Sequence, residues 1–164
     1  MRQRKIKGIE EKLAVYASLL VAEPEGCRGR WRQAFGADCS AGLYAEIGSG
    51  KGRFITESAL LSPGDFFLAF EGQESVLYRA LQRACAGPAP SAREIYEAAQ
   101  IAGPENAPEN LRFIRSYIEE VSDFFAGGEL DGIFLNFSDP WPKARQEKRR
   151  LTSPHYLAGY AAAL

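Results

Sequence analysis

Apolar runs of strand length alternate with glycine turns and helical patterns along the chain. Four runs predict strands, at residues 43–47, 66–70, 111–115 and 132–137. Helices are predicted between them, at 54–61, 75–85, 93–101 and 118–125, and also over 12–22 and from Ser153 to the C-terminus. The run at 66–70 is continuously apolar, which is typical of a strand covered on both faces. This order predicts an α/β fold, with a central parallel sheet and helices on both faces.

The length and composition fit one globular domain. Of the 164 residues, 46% are hydrophobic and 25% are charged, and the formal net charge is −1. That balance argues against a uniformly basic protein but leaves room for local basic patches. The longest nearly apolar stretch, residues 13–22, is shorter than the roughly 20 residues that cross a bilayer, so we expect no membrane segment and a cytoplasmic protein. Cys27, Cys39 and Cys85 have no metal-ligand spacing, so we expect reduced thiols and no metal.

Two segments are expected to be additions to a single domain that spans residues 1–164. Residues 1–40 form a basic and helical N-terminal extension, which carries Arg2 and Arg4. Residues 86–109 make a connection that is long for a compact domain, and we expect a surface insertion there.

The first motif is a glycine turn between the first strand and the next helix. It reads Glu46-Ile47-Gly48-Ser49-Gly50-Lys51-Gly52, a pattern of E-x-G-x-G-x-G. It matches neither the G-x-G-x-x-G of dinucleotide-binding proteins nor a phosphate-binding P-loop. Glu71 ends the second strand, where a carboxylate can accept hydrogen bonds from both hydroxyls of a ribose. The pair indicates a nucleoside cofactor; the alternative is a tight turn and a solvated glutamate.

The second motif follows the fourth strand. Asp139 lies where ligand sites occur in open parallel sheets, and Trp141, between Pro140 and Pro142, offers a flat face for a base. The next segment, residues 143–150, has five basic residues and one acidic residue. A basic run beside an aromatic loop suits an RNA backbone with an exposed base, although the run alone is equally compatible with a solvated helix face.

Together, the motifs closely resemble the bacterial tRNA (guanine-N7-)-methyltransferase family, which belongs to the class I S-adenosylmethionine-dependent methyltransferases. The resemblance rests on residues 46–52, Glu71, the Ser-Asp-Pro-Trp-Pro-Lys string at 138–143 and the segment 148–154, and it covers almost the whole chain. It implies a Rossmann-like fold, S-adenosylmethionine as the cofactor and methylation at N7 of a guanine in the variable loop of tRNA.

The resemblance also implies roles for single residues. The cofactor contacts fall on Glu46, Gly48, Gly50, Glu71 and Asp139. The substrate and RNA contacts fall on Lys143, Arg145, Lys148, Arg149 and Arg150. Asp139 is the active-site carboxylate. Because guanine N7 already has a free lone pair, we expect Asp139 to orient the base and stabilise positive charge, and no proton has to be removed before attack.

The sequence departs from the family pattern at three places. Tyr117 stands where the family has an acidic residue that contacts adenosine; it is a cofactor-binding candidate that can stack on adenine but is not the usual acceptor. The connection at 86–109 is longer than the family's. The family continues beyond the position of Leu164, so we expect a truncated chain whose last strands are missing and whose residues 133–135 form an exposed apolar edge.

Two other functions stay open. One is that the chain is an inactive or partial copy that serves only as an RNA- or cofactor-binding module. In either case we expect a monomer or a homodimer. The Asp139-Pro140-Trp141 loop is also similar to that of methyltransferases that act on exocyclic amino nitrogens. His155 has no partner cysteine or histidine in the sequence, and we assign it no role.

Overall fold

The computed structural model describes residues 6–36, 40–87, 91–99, 102–136 and 141–164. Four strands form its centre: β1 (Leu43–Ile47), β2 (Phe66–Phe70), β3 (Leu111–Ile114) and β4 (Gly132–Phe134). They are hydrogen-bonded in the order β3-β2-β1-β4, and every pair is parallel. The predicted α/β fold with a parallel sheet is therefore confirmed.

Helices connect and cover these strands. They are α1 (Ile9–Ala14), α2 (Trp31–Ala34), α3 (Arg53–Leu61), α4 (Glu74–Ala86), α5 (Ala92–Ala99), α6 (Val121–Phe124) and α7 (Pro154–Ala163). Short 3₁₀ turns lie at Ala17–Leu19, Pro24–Cys27, Pro104–Asn106 and Ala144–Arg149. In the part of the chain that the structure describes, no helix is both long enough and apolar enough to cross a membrane.

The predicted continuous helix at 12–22 is wrong, because α1 ends at Ala14 and a 3₁₀ turn follows. The buried side chains of this segment are Leu13, Tyr16 and Leu19. Their spacing of three residues fits the three residues per turn of a 3₁₀ helix better than the 3.6 of an α-helix. The predicted helix at 118–125 is likewise reduced to the four residues of α6.

A hydrophobic layer covers each face of the sheet. On one face, Phe67 and Ala69 of β2 pack with apolar side chains of α3 and α4. On the other, Leu68 and Phe70 pack with Trp31 and with residues of α6 and α7. The alternation along β2 shows why its run is continuously apolar, since both of its faces are buried.

One buried carboxylate ties the N-terminal segment to this second layer. Glu129 accepts hydrogen bonds from the backbone N–H groups of Gly29, Trp31 and Ala126. The indole N–H of Trp31, which is fully buried, donates to the carbonyl oxygen of Phe124 at 2.8 Å.

The strand order reverses beside β1. From β1 the chain runs outward through β2 and β3, and it then returns to place β4 on the other side of β1. Ligands of open parallel sheets bind at the carboxyl ends of the strands next to such a reversal. Within the described residues β4 pairs only with β1, and its Ile133 and Phe134 are half-buried. The ring of Phe134 packs edge-on against that of Phe54, with centroids 4.8 Å apart.

Candidate active site

A cleft of about 780 Å³ opens at the carboxyl ends of the strands. One side, which we call the sheet wall, consists of residues that follow β1, β2 and β3: Gly48, Gly50, Glu71, Gly72, Tyr117 and Glu119. The other side, which we call the basic wall, comes from the C-terminal segment: Trp141, Lys148, Arg149, Leu151, His155 and Tyr156. The volume is in the range of small-molecule and cofactor sites.

The glycine turn of the sheet wall is held by main-chain hydrogen bonds. The N–H groups of Gly48 and Ser49 both donate to the carbonyl oxygen of Phe70, each at 2.9 Å. Gly48 and Gly50 have φ angles of 74° and 58°, a region that residues with a side chain rarely adopt. A Cβ on Gly50 would meet no heavy atom within 4 Å, so a ligand can approach the backbone closely there.

Glu71 joins this turn to the end of β2. Its Oε2 accepts from the N–H of Gly50 at 3.0 Å, and its Oε1 accepts from the N–H of Gln73 at 2.8 Å. Because these amides are already bonded and a carboxylate stands beside them, the turn is unsuited to phosphate. It fits an uncharged ribose and a cationic group instead.

Glu46 lies behind the cleft and is not one of the residues that line it. Its side chain is buried, and its Oε1 accepts from the side-chain amide of Asn136 at 3.0 Å. Its Oε2 has no hydrogen-bond partner among the described residues. Burial raises the pKa of this carboxyl to about 7, against the opposing effects of the Asn136 hydrogen bond and the Ile55 backbone amide. A buried oxygen without a partner at the reversal point of the sheet fits a site that takes a polar ligand.

Side chains hold the basic wall in place. The guanidinium carbon of Arg149 lies 5.2 Å from the centroid of the Trp141 ring. Arg150 donates two hydrogen bonds to the carbonyl oxygen of Trp141, at 3.1 and 3.0 Å. Trp141 has a φ angle of 37°, which is unusual for a bulky side chain, so these two arginines hold a strained backbone position.

The predicted RNA-binding residues divide into two groups. Lys148 and Arg149 line the cleft, and Arg150 supports Trp141 from behind. Lys143 and Arg145 are exposed and do not line the cleft. Asp139, the predicted active-site carboxylate, lies outside the described residues.

His155 and Tyr156 line the cleft although the sequence analysis assigned them no role. The Nε2 atom of His155 lies 3.2 Å from Glu120 Oε1 and 3.3 Å from the carbonyl oxygen of Glu119. The Tyr156 hydroxyl donates to the carbonyl oxygen of Ile118 at 2.9 Å. The start of α7 is thereby fixed against the segment after β3, which gives His155 contacts with an acidic side chain and a carbonyl oxygen. These pairs are far apart in sequence, and no local pattern signals them.

Among the described residues, no group of three or more histidine, cysteine, aspartate or glutamate side chains is placed to hold a metal ion. Cys27 and Cys85 are free thiols. Burial raises the pKa of the Cys85 thiol to about 11, so it is protonated at neutral pH.

A known protein family matches most of the chain. Residues 40–164, which contain the whole sheet and both walls of the cleft, match the family model described as "Putative methyltransferase". The chain belongs to this methyltransferase family. The matched region begins just before β1 and includes the glycine turn, Glu71 and the basic wall.

Two curated relatives of this chain are named tRNA (guanine-N(7)-)-methyltransferase. One, from Geobacillus kaustophilus, is 40% identical over 98% of this chain, and one from Lachnoclostridium phytofermentans is 41% identical over 98%. The chain spans 64% of the length of each of these relatives. The resemblance to the tRNA (guanine-N7-)-methyltransferases is confirmed by these identities.

A solved structure from Methanococcus maripaludis, described as "a putative s-adenosyl-l-methionine-dependent methyltransferase", covers the whole chain at 16% identity with a TM-score of 0.42. Because that score is low, the fold assignment depends on the strand order and parallel pairing of this chain alone.

Proposed function

We propose that this protein transfers a methyl group from S-adenosylmethionine to N7 of a guanine in the variable loop of tRNA, as a cytoplasmic tRNA-modifying enzyme. The observation that carries the proposal is a cleft where the sheet wall, with its carboxylates Glu71 and Glu119, faces the basic wall. This cleft lies where the strand order of the parallel sheet reverses. The names of the two curated relatives support the same reaction.

The sheet wall suits the cofactor. Glu71 would accept the ribose hydroxyls, and Gly48 and Gly50 would lie against the methionine part. Of these two glycines, Gly50 is the more open, since a Cβ placed on it meets no described heavy atom within 4 Å. Tyr117, which lines the cleft, would lie at the nucleoside end of the cofactor. The carboxylates of Glu71 and Glu119 give this wall negative charge, which favours a cationic ligand. When bound, the cofactor supplies an electrophilic methyl group on a sulfonium. Glu46, whose Oε2 has no hydrogen-bond partner among the described residues, would contact the cofactor from behind this wall.

The basic wall suits RNA. Lys148 and Arg149 would contact the phosphate backbone at the mouth of the cleft, and Lys143 and Arg145 would extend that contact across the exposed surface. Trp141, fixed by Arg149 and Arg150, presents a ring on which a base can stack.

The reaction requires positioning more than proton transfer. Guanine N7 attacks through its own lone pair, and the purine becomes positively charged as the methyl group is transferred. Asp139, which follows β4 in sequence, would hold the guanine and stabilise this charge, so its carboxylate does not need to act as a base. The remaining rate enhancement comes from holding N7 and the methyl group in line.

The domain assignment belongs to the same proposal. Residues 1–164 would form one methyltransferase domain, with residues 1–40 as an N-terminal extension and residues 86–109 as a surface insertion. Within the insertion, Ile95 of α5 is buried, and α5 packs along α4. We propose that the protein acts as a monomer or a homodimer.

The test is a methyl-transfer assay with the whole chain. Unmodified tRNA is incubated with methyl-labelled S-adenosylmethionine, digested to nucleosides and separated. Label in 7-methylguanosine supports the proposal. Label in an exocyclic N-methyl nucleoside, or binding of tRNA and cofactor without transfer, contradicts it. A tRNA transcript whose variable-loop guanines are replaced by adenine is the matched control and should receive no label.

A further inference from the structure

A second group of cations lies at the start of α3 and along α4, outside the basic wall. We call it the α3–α4 patch, and it consists of Lys51, Arg53, Arg79 and Arg83. The first three are exposed, and Arg83 is half-buried. Arg79 and Arg83 are four residues apart on α4 and therefore share one face of it. In a chain with a formal net charge of −1, such a group is a local concentration of positive charge.

A close contact between Gly52 and α4 brings these cations together. A Cβ placed on Gly52 would lie 2.9 Å from the Cβ of Ala80, so the glycine lets α3 begin directly against α4. Lys51 and Arg53 flank Gly52 in the sequence. On α4, Arg83 lies three residues after Ala80, on the adjacent part of the same helix face. The arrangement of the patch is therefore set by packed backbone.

Arg83 lacks a close counter-ion among the described residues. Its Nε atom is buried there without a hydrogen-bond partner, and its guanidinium forms no salt bridge with the carboxylates that the structure describes. Burial lowers the pKa of Arg83, and the nearby charge of Arg53 lowers it further, against the opposing effect of Glu57. Glu57 is itself bonded to Arg53, at 3.0 Å. Because a buried donor without a partner costs stability, packing alone does not account for this arginine, whereas an anionic ligand would.

The α3–α4 patch adjoins the cleft at two points. Gly50 lines the cleft, and Lys51 directly follows it. Val76 also lines the cleft, and it lies two helical turns before Arg83 on α4. At 1.5 Å per residue, Arg83 is only about 10 Å along the helix from Val76. A ligand that enters the cleft can therefore reach the patch.

The patch and the basic wall lie on opposite faces of the sheet. Helices α3 and α4 pack on the face that carries Phe67 and Ala69 of β2. Helix α7 and Leu151 pack on the face that carries Leu68 and Phe70. Cations therefore flank the carboxyl ends of the strands on both sides. A ligand that satisfies both groups must carry negative charges at intervals over a long distance, which the phosphates of an RNA backbone do.

We propose that the α3–α4 patch is a second phosphate-binding surface for tRNA, which holds the RNA backbone on the far side of the cleft from the basic wall. The inference rests on the proposed function, since it adds a contact with the same substrate. Phosphate contacts fix the position of a nucleic acid without reading its sequence. Contacts on both sides of the cleft would therefore set the direction from which the variable loop enters it.

Filter binding of unmodified tRNA over a range of salt concentrations tests the patch. The double variant Lys51→Gln/Arg83→Gln, which we call the patch variant, removes two positive charges. The slope of log Kd against log salt concentration should fall by about two units, and Kd at low salt should rise about 10-fold. Arg30→Gln/Arg93→Gln is the matched control, since it removes two exposed arginines outside the patch and should keep the parent slope.

Two further variants separate charge from packing and one surface from the other. Arg83→Lys keeps the charge and should keep the parent slope. Adding the patch variant to Lys148→Ala/Arg149→Ala should lower the slope by the same two units again, roughly, because changes at separate surfaces add. Thermal unfolding checks the fold of each variant.

The outcomes separate this inference from the proposed function. If the parent protein binds tRNA and the patch variant has the same slope and Kd, the patch is an ordinary solvated surface, while the proposed function stands. The patch variant should bind S-adenosylhomocysteine within about twofold of the parent Kd. Equal losses for tRNA and S-adenosylhomocysteine would also overturn the inference, because they would place the effect in the glycine turn. If the parent protein itself does not bind tRNA, both proposals fail.

Discussion

The sheet wall of the cleft takes its shape from main-chain hydrogen bonds, whereas the basic wall is held by side chains. Gly48 and Ser49 bond to the carbonyl oxygen of Phe70, and Glu71 bonds to two further amides. Across the cleft, the position of Trp141 depends on Arg149 and Arg150. The first arrangement is anchored in a buried sheet, and the second lies on a 3₁₀ turn with exposed charges.

This difference matches the two ligands that we propose. A small cofactor requires a fixed surface, and main-chain bonds to a buried strand provide one. A polyanion is attracted over a longer range, and exposed cations serve that purpose without tight packing. Opposite charges on the two walls also keep each ligand from the other's position.

The largest expected effect comes from Asp139, which lies in sequence between β4 and the basic wall. Asp139→Ala should lower the rate of methyl transfer about 100- to 1,000-fold, as happens when one group that stabilises transition-state charge is removed. Binding of tRNA should be nearly unchanged. Single-turnover methylation measures the rate, and circular dichroism checks the fold. Turnover at the parent rate would remove Asp139 from the mechanism.

A smaller effect is expected behind the sheet wall, at Glu46. The folded-state pKa of about 7 lies above the ordinary value of 4.5, so the folded protein binds more protons between these values. The free energy of unfolding should therefore fall as the pH rises through this window. Glu46→Gln should abolish that fall and stabilise the protein at pH 8 by about 2 kcal/mol.

Urea unfolding at several pH values measures the effect of Glu46→Gln. Glu57→Gln, on the exposed surface of α3, is the control and should keep the pH dependence of the parent protein. A parent protein whose stability is flat from pH 5 to 8 would contradict the assigned protonation of Glu46.

The smallest effect concerns the basic wall. Arg149→Ala should weaken tRNA binding for all sequences and lower the slope of log Kd against log salt concentration by about one unit. Filter binding over a range of salt concentrations measures it. Arg93→Ala removes an exposed arginine of α5 that pairs with Glu97, and it is the matched control. A slope equal to that of the parent protein would make the basic run an ordinary solvated surface.

Local sequence pattern is sufficient for the glycine turn, for Glu71 and for much of the fold. The strand, glycine turn and helix from Leu43 to Leu61 follow one another within a short segment, so periodicity and turn residues reveal them. Glu71 can be predicted as a site residue because the end of a predicted strand specifies its place in the sheet. In these cases the position in the sequence determines the position in the fold.

Contacts between distant segments could not be predicted in this way. His155 meets Glu120, and Tyr156 meets Ile118, only because α7 packs beside the segment after β3. The ring of Tyr117 lies against Gly72 only because β2 and β3, which these residues follow, are neighbours in the sheet. The basic wall was recognised as a motif, but its contacts with Trp141 have no periodic signal.

The assignment of the cofactor to the sheet wall and of RNA to the basic wall is tested most directly by titration with S-adenosylhomocysteine. The titration compares the parent protein with Glu71→Ala and with the double variant Lys148→Ala/Arg149→Ala. Glu71→Ala loses an acceptor that serves both the turn and the ribose, and it should weaken binding about 100-fold. The double variant should stay within about twofold of the parent Kd, because surface charges on the opposite wall contribute little to a small ligand. Equal losses in the two variants, or no loss in Glu71→Ala, would contradict a cleft whose walls bind separate ligands.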